Sequence, residues 1–171
     1  MGHINVEIKA RCNNQDAIRK YLKEHDADFK GVDHQIDTYF NVSNGRLKLR
    51  EGEIENFLVH YERSDQVGPK QSKVTLYNSQ PGSMLKEALA KALGVLVVVD
   101  KKREIYFIEN VKFHVDMVQG LGTFMEIEAI DKDGSIGQDK LNEQCQQYLS
   151  EMGIRGQDLI PVSYSDLLLN K

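Results

Sequence analysis

The chain has 171 residues, 40% of them apolar and 28% charged, with a formal net charge of −4. This length and balance describe one soluble globular domain with a sizeable core. The acidic excess excludes a general nucleic-acid binder, which carries a basic surplus; the basic residues gather locally instead, as suits one specific anionic ligand.

Residues 3–11 read as a strand in which Val6, Ile8 and Ala10 alternate with Asn5, Glu7, Lys9 and Arg11. Asn13 or Asn14 caps a helix running to about His25, with Ala17, Ile18, Tyr21 and Leu22 on its apolar face. An extended stretch then ends at Phe40. Asn44-Gly45 is a hairpin signal, and the strand after it alternates Leu47 and Leu49 with Arg46, Lys48 and Arg50. A turn at Glu51-Gly-Glu53 precedes a strand from about 54 to 63, and Gly68-Pro69 breaks a loop spanning 64–71. A strand near 73–77 follows. Pro81-Gly82-Ser83 opens a helix that Gly94 closes.

The apolar run 95–99 reads as buried strand and continues to about 108. Strands at 111–118 and 123–130 flank a hairpin at Gly120-Leu-Gly122, which lacks the strand-then-helix context of a dinucleotide loop. From Ser135 a helix places Leu141, Cys145, Tyr148, Leu149 and Met152 on one face and ends at Gly153; a short helical segment covers about 164–169. About eight strands with hairpin connections imply a mostly antiparallel sheet, either open with a solvated charged face or closed around a polar lumen with helices outside.

The charged strand faces carry the chemistry. Glu7, Glu126 and Glu128 lie on them, joined by Asp116, because Lys112, His114 and Asp116 alternate with Phe113, Val115 and Met117. Such carboxylates, brought together, repel. A divalent cation resolves this, and an all-oxygen donor set favours Mg²⁺, Mn²⁺ or Ca²⁺. Lys9, Arg11, Arg46, Lys48, Arg50, Lys101 and Arg103 also alternate, with Arg63 in a strand of open register. That many cations suit a triphosphate, with Arg forking onto oxygens and Lys acting as a point charge. Asp37 and Tyr39 read equally as ligand contacts or as hydrogen-bonded structural groups, and His114, on the face of Asp116, reads as a satisfied polar neighbour ahead of a group that approaches the phosphates. The two cysteines, Cys12 and Cys145, and five scattered histidines have no zinc-site spacing, which points to a reducing, cytoplasmic setting. No leader and no membrane-spanning apolar run is evident.

Six pieces in order carry a resemblance. They are Asn5-Val-Glu-Ile-Lys9, Gln35-Ile-Asp-Thr-Tyr-Phe40, Gly45-Arg-Leu-Lys-Leu-Arg50, Tyr61-Glu-Arg63, Lys101-Lys-Arg103, and the segment from Val115 through Gly120-Leu-Gly122 to Glu126-Ile-Glu128. The sequence resembles a CYTH domain, the triphosphate tunnel metalloenzymes that include class IV adenylyl cyclases and thiamine triphosphatases, and is most similar to the bacterial cyclase-like branch. The resemblance implies an α+β fold over residues 1–171: an eight-stranded antiparallel closed barrel forming a tunnel, with helices packed outside. It implies Mg²⁺ or Mn²⁺ held by Glu7, Asp116, Glu126 and Glu128, and catalytic roles for Glu7, Lys9, Glu126 and Glu128. The phosphate clamp would be Lys9, Arg46, Lys48, Arg50, Arg63, Lys101 and Arg103.

The expected activity is metal-dependent hydrolysis of a triphosphate. The alternative is cyclisation of ATP to cyclic AMP and pyrophosphate, and a third reading is a non-catalytic polyphosphate or nucleotide sensor. The partner is a small-molecule triphosphate, with neither nucleic acid nor membrane, and a homodimer is left open. One departure stands out: the first acidic position of the family's ExExK signature is Asn5, an uncharged oxygen donor, which implies weaker metal binding.

Overall fold

The computed structural model describes residues 2–63 and 65–171; Ser64, in the expected loop at 64–71, lies outside them. Eight strands run in chain order as β1 (Gly2–Arg11), β2 (Asp28–Phe40), β3 (Arg46–Glu51), β4 (Asn56–Arg63), β5 (Lys70–Asn78), β6 (Val95–Ile108), β7 (Val111–Val118) and β8 (Gly122–Asp131). They close into one barrel in the order β1-β5-β4-β3-β2-β6-β7-β8, every pairing antiparallel. Closure decides between the two arrangements that the alternation allows, and it leaves no unpaired edge. The helices are α1 (Gln15–Glu24), α2 (Leu85–Leu93), α3 (Gln138–Glu151) and α4 (Tyr164–Leu169). None among the described residues is long and apolar enough to cross a membrane.

Register turns the alternation into two surfaces. Across β1 and β8, Val6 opposes Ala129 and Ile8 opposes Ile127 on the outside, while Glu7 opposes Glu128 and Lys9 opposes Glu126 on the inside. The outer apolar face of β1, β7 and β8 is covered by α1 and α3, whose Ile18, Leu22, Leu141 and Cys145 join Phe113, Val115 and Ile127 in one sealed cluster. Each large apolar side chain fully buried here contributes about 1.5–3 kcal/mol. Asn14 caps α1, accepting from the Ala17 N–H at 3.3 Å.

Three local differences from the expectations have physical causes. Strand β4 starts at Asn56 rather than near 54, because the N–H groups of Glu53, Ile54 and Glu55 turn onto the Asp33 carboxylate at 2.7, 2.9 and 3.0 Å. Helix α3 starts at Gln138 rather than Ser135, because Asp131 accepts from the N–H groups of Gly134, Ile136 and Gly137. The run 95–99 is not uniformly buried. Val95, Leu96 and Val98 are exposed and only Val99 is sealed. The helix beside this stretch, α2, buries none of its own residues.

The segment after α3 crosses one end of the barrel. Ile160 donates its N–H to the Lys9 carbonyl at 2.9 Å, and Leu159 forms a bridge with Ala10. Helix α4, with a Ser163–Asp166 capping box, then packs Tyr164 edge-on against Phe124 at 4.9 Å between ring centroids. The lumen is therefore sealed beside Tyr61, Ser163 and Tyr164, whereas its opposite rim carries the exposed side chains Asn78 and Lys132.

Candidate active site in the barrel lumen

The lumen holds a cavity of about 530 Å³ lined by eight Lys or Arg and five Asp or Glu side chains. A chain with net charge −4 thus encloses a positively biased interior. Low-dielectric walls focus such a field on an entering anion.

The basic half is built by β2, β3 and β6. Its centre is Asp37, which sequence reasoning left between ligand contact and structural group; the structure makes it a hub. Arg50 donates to both Asp37 oxygens at 2.9 and 2.8 Å, Lys101 to Oδ2 at 2.7 Å, and the Lys48 ammonium lies 3.2 Å from the same oxygen. Burial alone would raise the Asp37 carboxyl, but the charges of Arg50, Lys101 and Lys48 outweigh it and hold the group well below the usual carboxylate range. Burial also pulls Lys101 down. One carboxylate among three cations leaves this wall with spare positive charge. Lys48 sits over the rings of Tyr39 and Tyr61 at 5.5 and 5.6 Å.

A second carboxylate orders the rim beside this wall. Glu55 accepts from Arg50 at 3.1 Å, from Gln35 at 3.0 Å and from Lys112. Gln35 also donates to Asp33 at 2.9 Å, so the loop held by Asp33 delivers Glu55. Gly52 makes that approach possible: a Cβ there would fall 2.7 Å from both Asp33 oxygens.

The acidic half is built by β1, β7 and β8. Glu126 is buried and faces Lys9 at 3.7 Å, Arg103 at 3.2 Å and His114 Nδ1 at 3.3 Å. Burial would raise it, yet the charges of Arg103 and Lys9 hold it well below its ordinary value. Glu7 is engaged by Arg63, and Glu128 accepts from the Asn5 amide at 3.0 Å. Asn5 Oδ1 is buried and has no hydrogen-bond partner. That orphaned oxygen, set beside Glu7 and Glu128, is a donor set that fits a hard divalent cation such as Mg²⁺ or Mn²⁺.

Asp116 occupies a different place from its three acidic companions. It is fully buried, with both oxygens forked by Arg103 at 2.8 and 2.7 Å and a further bond from the Tyr164 hydroxyl at 2.7 Å. His114, Asp116 and Glu126 bring ligand atoms within 4.8 Å of one another, a spacing that could hold a metal ion. A cation there would have to displace the Arg103 guanidinium. His114 is only half satisfied, because its Nε2 has no partner.

Among the expected phosphate-binding residues, Lys9, Lys48, Arg50, Arg63, Lys101 and Arg103 all line the cavity. Arg63, whose register was open, points inward with Tyr61. Arg46 instead reaches α4, with Asp166 at 2.8 Å and Ser165 at 3.4 Å. Arg11 is exposed, its guanidinium 5.0 Å from the Phe124 ring. Sequence reasoning missed Glu55, Lys112 and Tyr164 as residues lining the lumen. Lys112 shares its strand face with Asp116, a legible signal. Lys70 sits opposite Glu7 in the ladder and donates to the Pro161 carbonyl, but it lay in the expected loop. Glu55 and Tyr164 come from a turn and a distant segment, so only folding brings them in.

The fold is thus a closed antiparallel barrel whose lumen sets a basic wall against a carboxylate wall. The CYTH domain family model matches residues 3–164, and the chain belongs to this family. A Methanocaldococcus jannaschii protein, whose name proposes an adenylate cyclase, is 29% identical over 178 residues, covering 96% of this chain and 98% of that protein. The solved structure of the PH1012 protein of Pyrococcus horikoshii superposes with a TM-score of 0.81 at 24% identity, covering 95% of this chain and 98% of that one. A Hippeastrum protein, a proposed adenylyl cyclase described as having a dominant triphosphatase activity, superposes with a TM-score of 0.63 at 13% identity over 98% of this chain and 94% of its own.

Proposed function

We propose that this protein is a metal-dependent phosphohydrolase that binds a triphosphate in the tunnel and releases orthophosphate and a diphosphate. The observation that carries this reading is the juxtaposition of spare cations around Asp37 with Asn5, Glu7, Glu126 and Glu128 across one lumen. Lys48, Arg50 and Lys101, with Lys9, Arg63 and Arg103, would exchange carboxylate partners for phosphate oxygens. Glu7, Glu126 and Glu128, with the Asn5 amide oxygen, would hold Mg²⁺ or Mn²⁺. The bound cation would neutralise charge on the transferring phosphoryl group. Phosphoryl transfer asks for positioning and charge neutralisation more than for a protein nucleophile, and ordered cations opposite carboxylates supply both. Arg103 and His114 would hold Glu126 ionised and oriented.

The name of the M. jannaschii relative favours a second reading, in which the ribose 3′-hydroxyl of ATP attacks the α-phosphorus and pyrophosphate leaves. Both reactions use the same clamp, and the products separate them. Phosphorus NMR of the protein with tripolyphosphate and with ATP, each with Mg²⁺ or Mn²⁺, is the test. Orthophosphate with a diphosphate product supports the hydrolase. Pyrophosphate with a cyclic-nucleotide resonance supports the cyclase. Metal-dependent binding without product over hours would overturn both in favour of a sensor. A cytoplasmic setting is part of the proposal and is supported by the free thiols of Cys12 and Cys145.

A further inference from the structure

Tyr164 has no part in holding metal or phosphate in the reading above, yet both ends of its side chain bear on Glu126. It is the first residue of α4 and lies buried at the sealed end of the lumen. Its hydroxyl donates to Asp116 Oδ2 at 2.7 Å. Arg103 forks the same carboxylate, Nε on Oδ1 at 2.8 Å and Nη2 on Oδ2 at 2.7 Å. From there Nη2 also reaches Glu126 Oε1 at 3.2 Å. The ring of Tyr164 faces the Lys9 ammonium, 4.1 Å from its centroid. Lys9 in turn donates to the Val162 carbonyl at 3.4 Å and stands 3.7 Å from the same Glu126 oxygen. Two cations tied to Tyr164 therefore meet at Oε1, while Oε2 faces His114 Nδ1 at 3.3 Å.

The Arg103 Nη2 group has two hydrogens and two carboxylates to serve. The Tyr164 hydroxyl gives Asp116 Oδ2 a second donor. Without it, that buried oxygen depends on Arg103, and the guanidinium is drawn from Glu126 towards Asp116. Lys9 is divided in the same way. The ring face and the Val162 carbonyl, both from the C-terminal segment, share its ammonium with Glu126. The docking of α4 and the placement of Glu126 are thus one arrangement. Partners behind a metal-holding carboxylate fix its orientation and basicity. Resting on the triphosphatase reading above, we infer that Tyr164 is a positioning residue. Its hydroxyl, through Asp116 and Arg103, and its ring, through Lys9, set the Glu126 carboxylate for a bound cation.

A double-mutant cycle separates this role from packing. Tyr164→Phe removes the hydroxyl alone and keeps the edge contact with Phe124, so it should stay folded by circular dichroism. Wild type, Tyr164→Phe, Glu126→Gln and the double variant would each be measured in two ways. One is tripolyphosphate turnover in Mn²⁺. The other is the Mn²⁺ dissociation constant without substrate, read by electron paramagnetic resonance. Tyr164→Phe is expected to lower turnover and Mn²⁺ affinity about 10–100-fold. In the Glu126→Gln background the same change should cost less than about twofold, because the carboxylate that it positions is already gone. Losses that multiply in the double variant, in either measurement, would overturn the positioning role and leave the triphosphatase reading in place. So would full turnover and full Mn²⁺ affinity in Tyr164→Phe. A wild type that turns over neither tripolyphosphate nor ATP would overturn the triphosphatase reading, and the Mn²⁺ cycle would still decide the role of Tyr164. A wild type that binds no Mn²⁺ would overturn both.

Discussion

Glu7 and Glu128 stand directly opposite each other across the β1–β8 ladder with both carboxylates in the lumen. Like charges so placed are destabilising. The fold offsets the repulsion locally, with Arg63 on Glu7 and the Asn5 amide on Glu128. An added divalent cation would relieve it further. Asn5→Glu should therefore lower the melting temperature in chelator, since it removes a hydrogen bond and adds a third carboxylate, at a cost of about 1–3 kcal/mol. The same variant should gain more stability than wild type on titration with Mn²⁺. Differential scanning fluorimetry with and without metal checks both signs.

Glu126 calls for a conservative substitution. Lys9, Arg103 and His114 all converge on it, and deleting one partner of a buried charged set costs about 3–5 kcal/mol. Glu126→Ala should lose activity and stability together. Glu126→Gln retains the shape and one oxygen acceptor, and Arg103 keeps its fork on Asp116. It should stay folded by circular dichroism while triphosphate turnover falls at least about a hundredfold, as for a lost electrostatic contact. Full turnover in Glu126→Gln would remove this residue from the site.

Asp37 is one of the buried carboxylates that contribute to acid stability. Its folded pKa lies below the unfolded value of about 3.9. A carboxylate depressed in this way contributes stability that is fully present above the unfolded pKa and is lost as pH falls through the folded one. Urea midpoints of the wild type should thus drop steeply below about pH 4. Asp37→Asn should be less stable at neutral pH by about 3–5 kcal/mol, because Arg50, Lys101 and Lys48 lose their shared counter-ion. Its acid slope should be shallower.

Arg46 separates clamp from closure. Its guanidinium holds Asp166 and Ser165 on α4. Arg46→Ala should speed amide exchange in α4 and change tripolyphosphate affinity less than Lys48→Ala does. Hydrogen exchange and competition binding on the two variants measure this.

Gly52 is needed for space. Its Cβ position falls 2.7 Å from both Asp33 oxygens and 2.8 Å from the Glu55 carbonyl. Gly52→Ala should destabilise by about 1–3 kcal/mol through overpacking and displace Glu55 from Arg50 and Lys112. Chemical denaturation provides the stability.

Most of the fold and much of the site were legible along the chain. A strand's two-residue period assigns Glu7, Lys9, Arg50, Arg103, Glu126 and Glu128 to one face from spacing alone, and Gly45 and Gly94 mark where elements end with positive φ. Period alone does not say whether that face is solvated or enclosed. Barrel closure decided this, bringing β1 beside β5 and β8, and so setting Glu7 against Glu128 and beside Arg63. Tertiary structure also decided which charges neutralise one another. Asp37, Glu55, Asp116 and Tyr164 acquire their roles from partners 13 to 64 residues away in most cases, such as Arg50 and Lys101 for Asp37. Sequence records which groups can pair and which face they share; the burial that makes each pairing obligatory exists only once the barrel has closed.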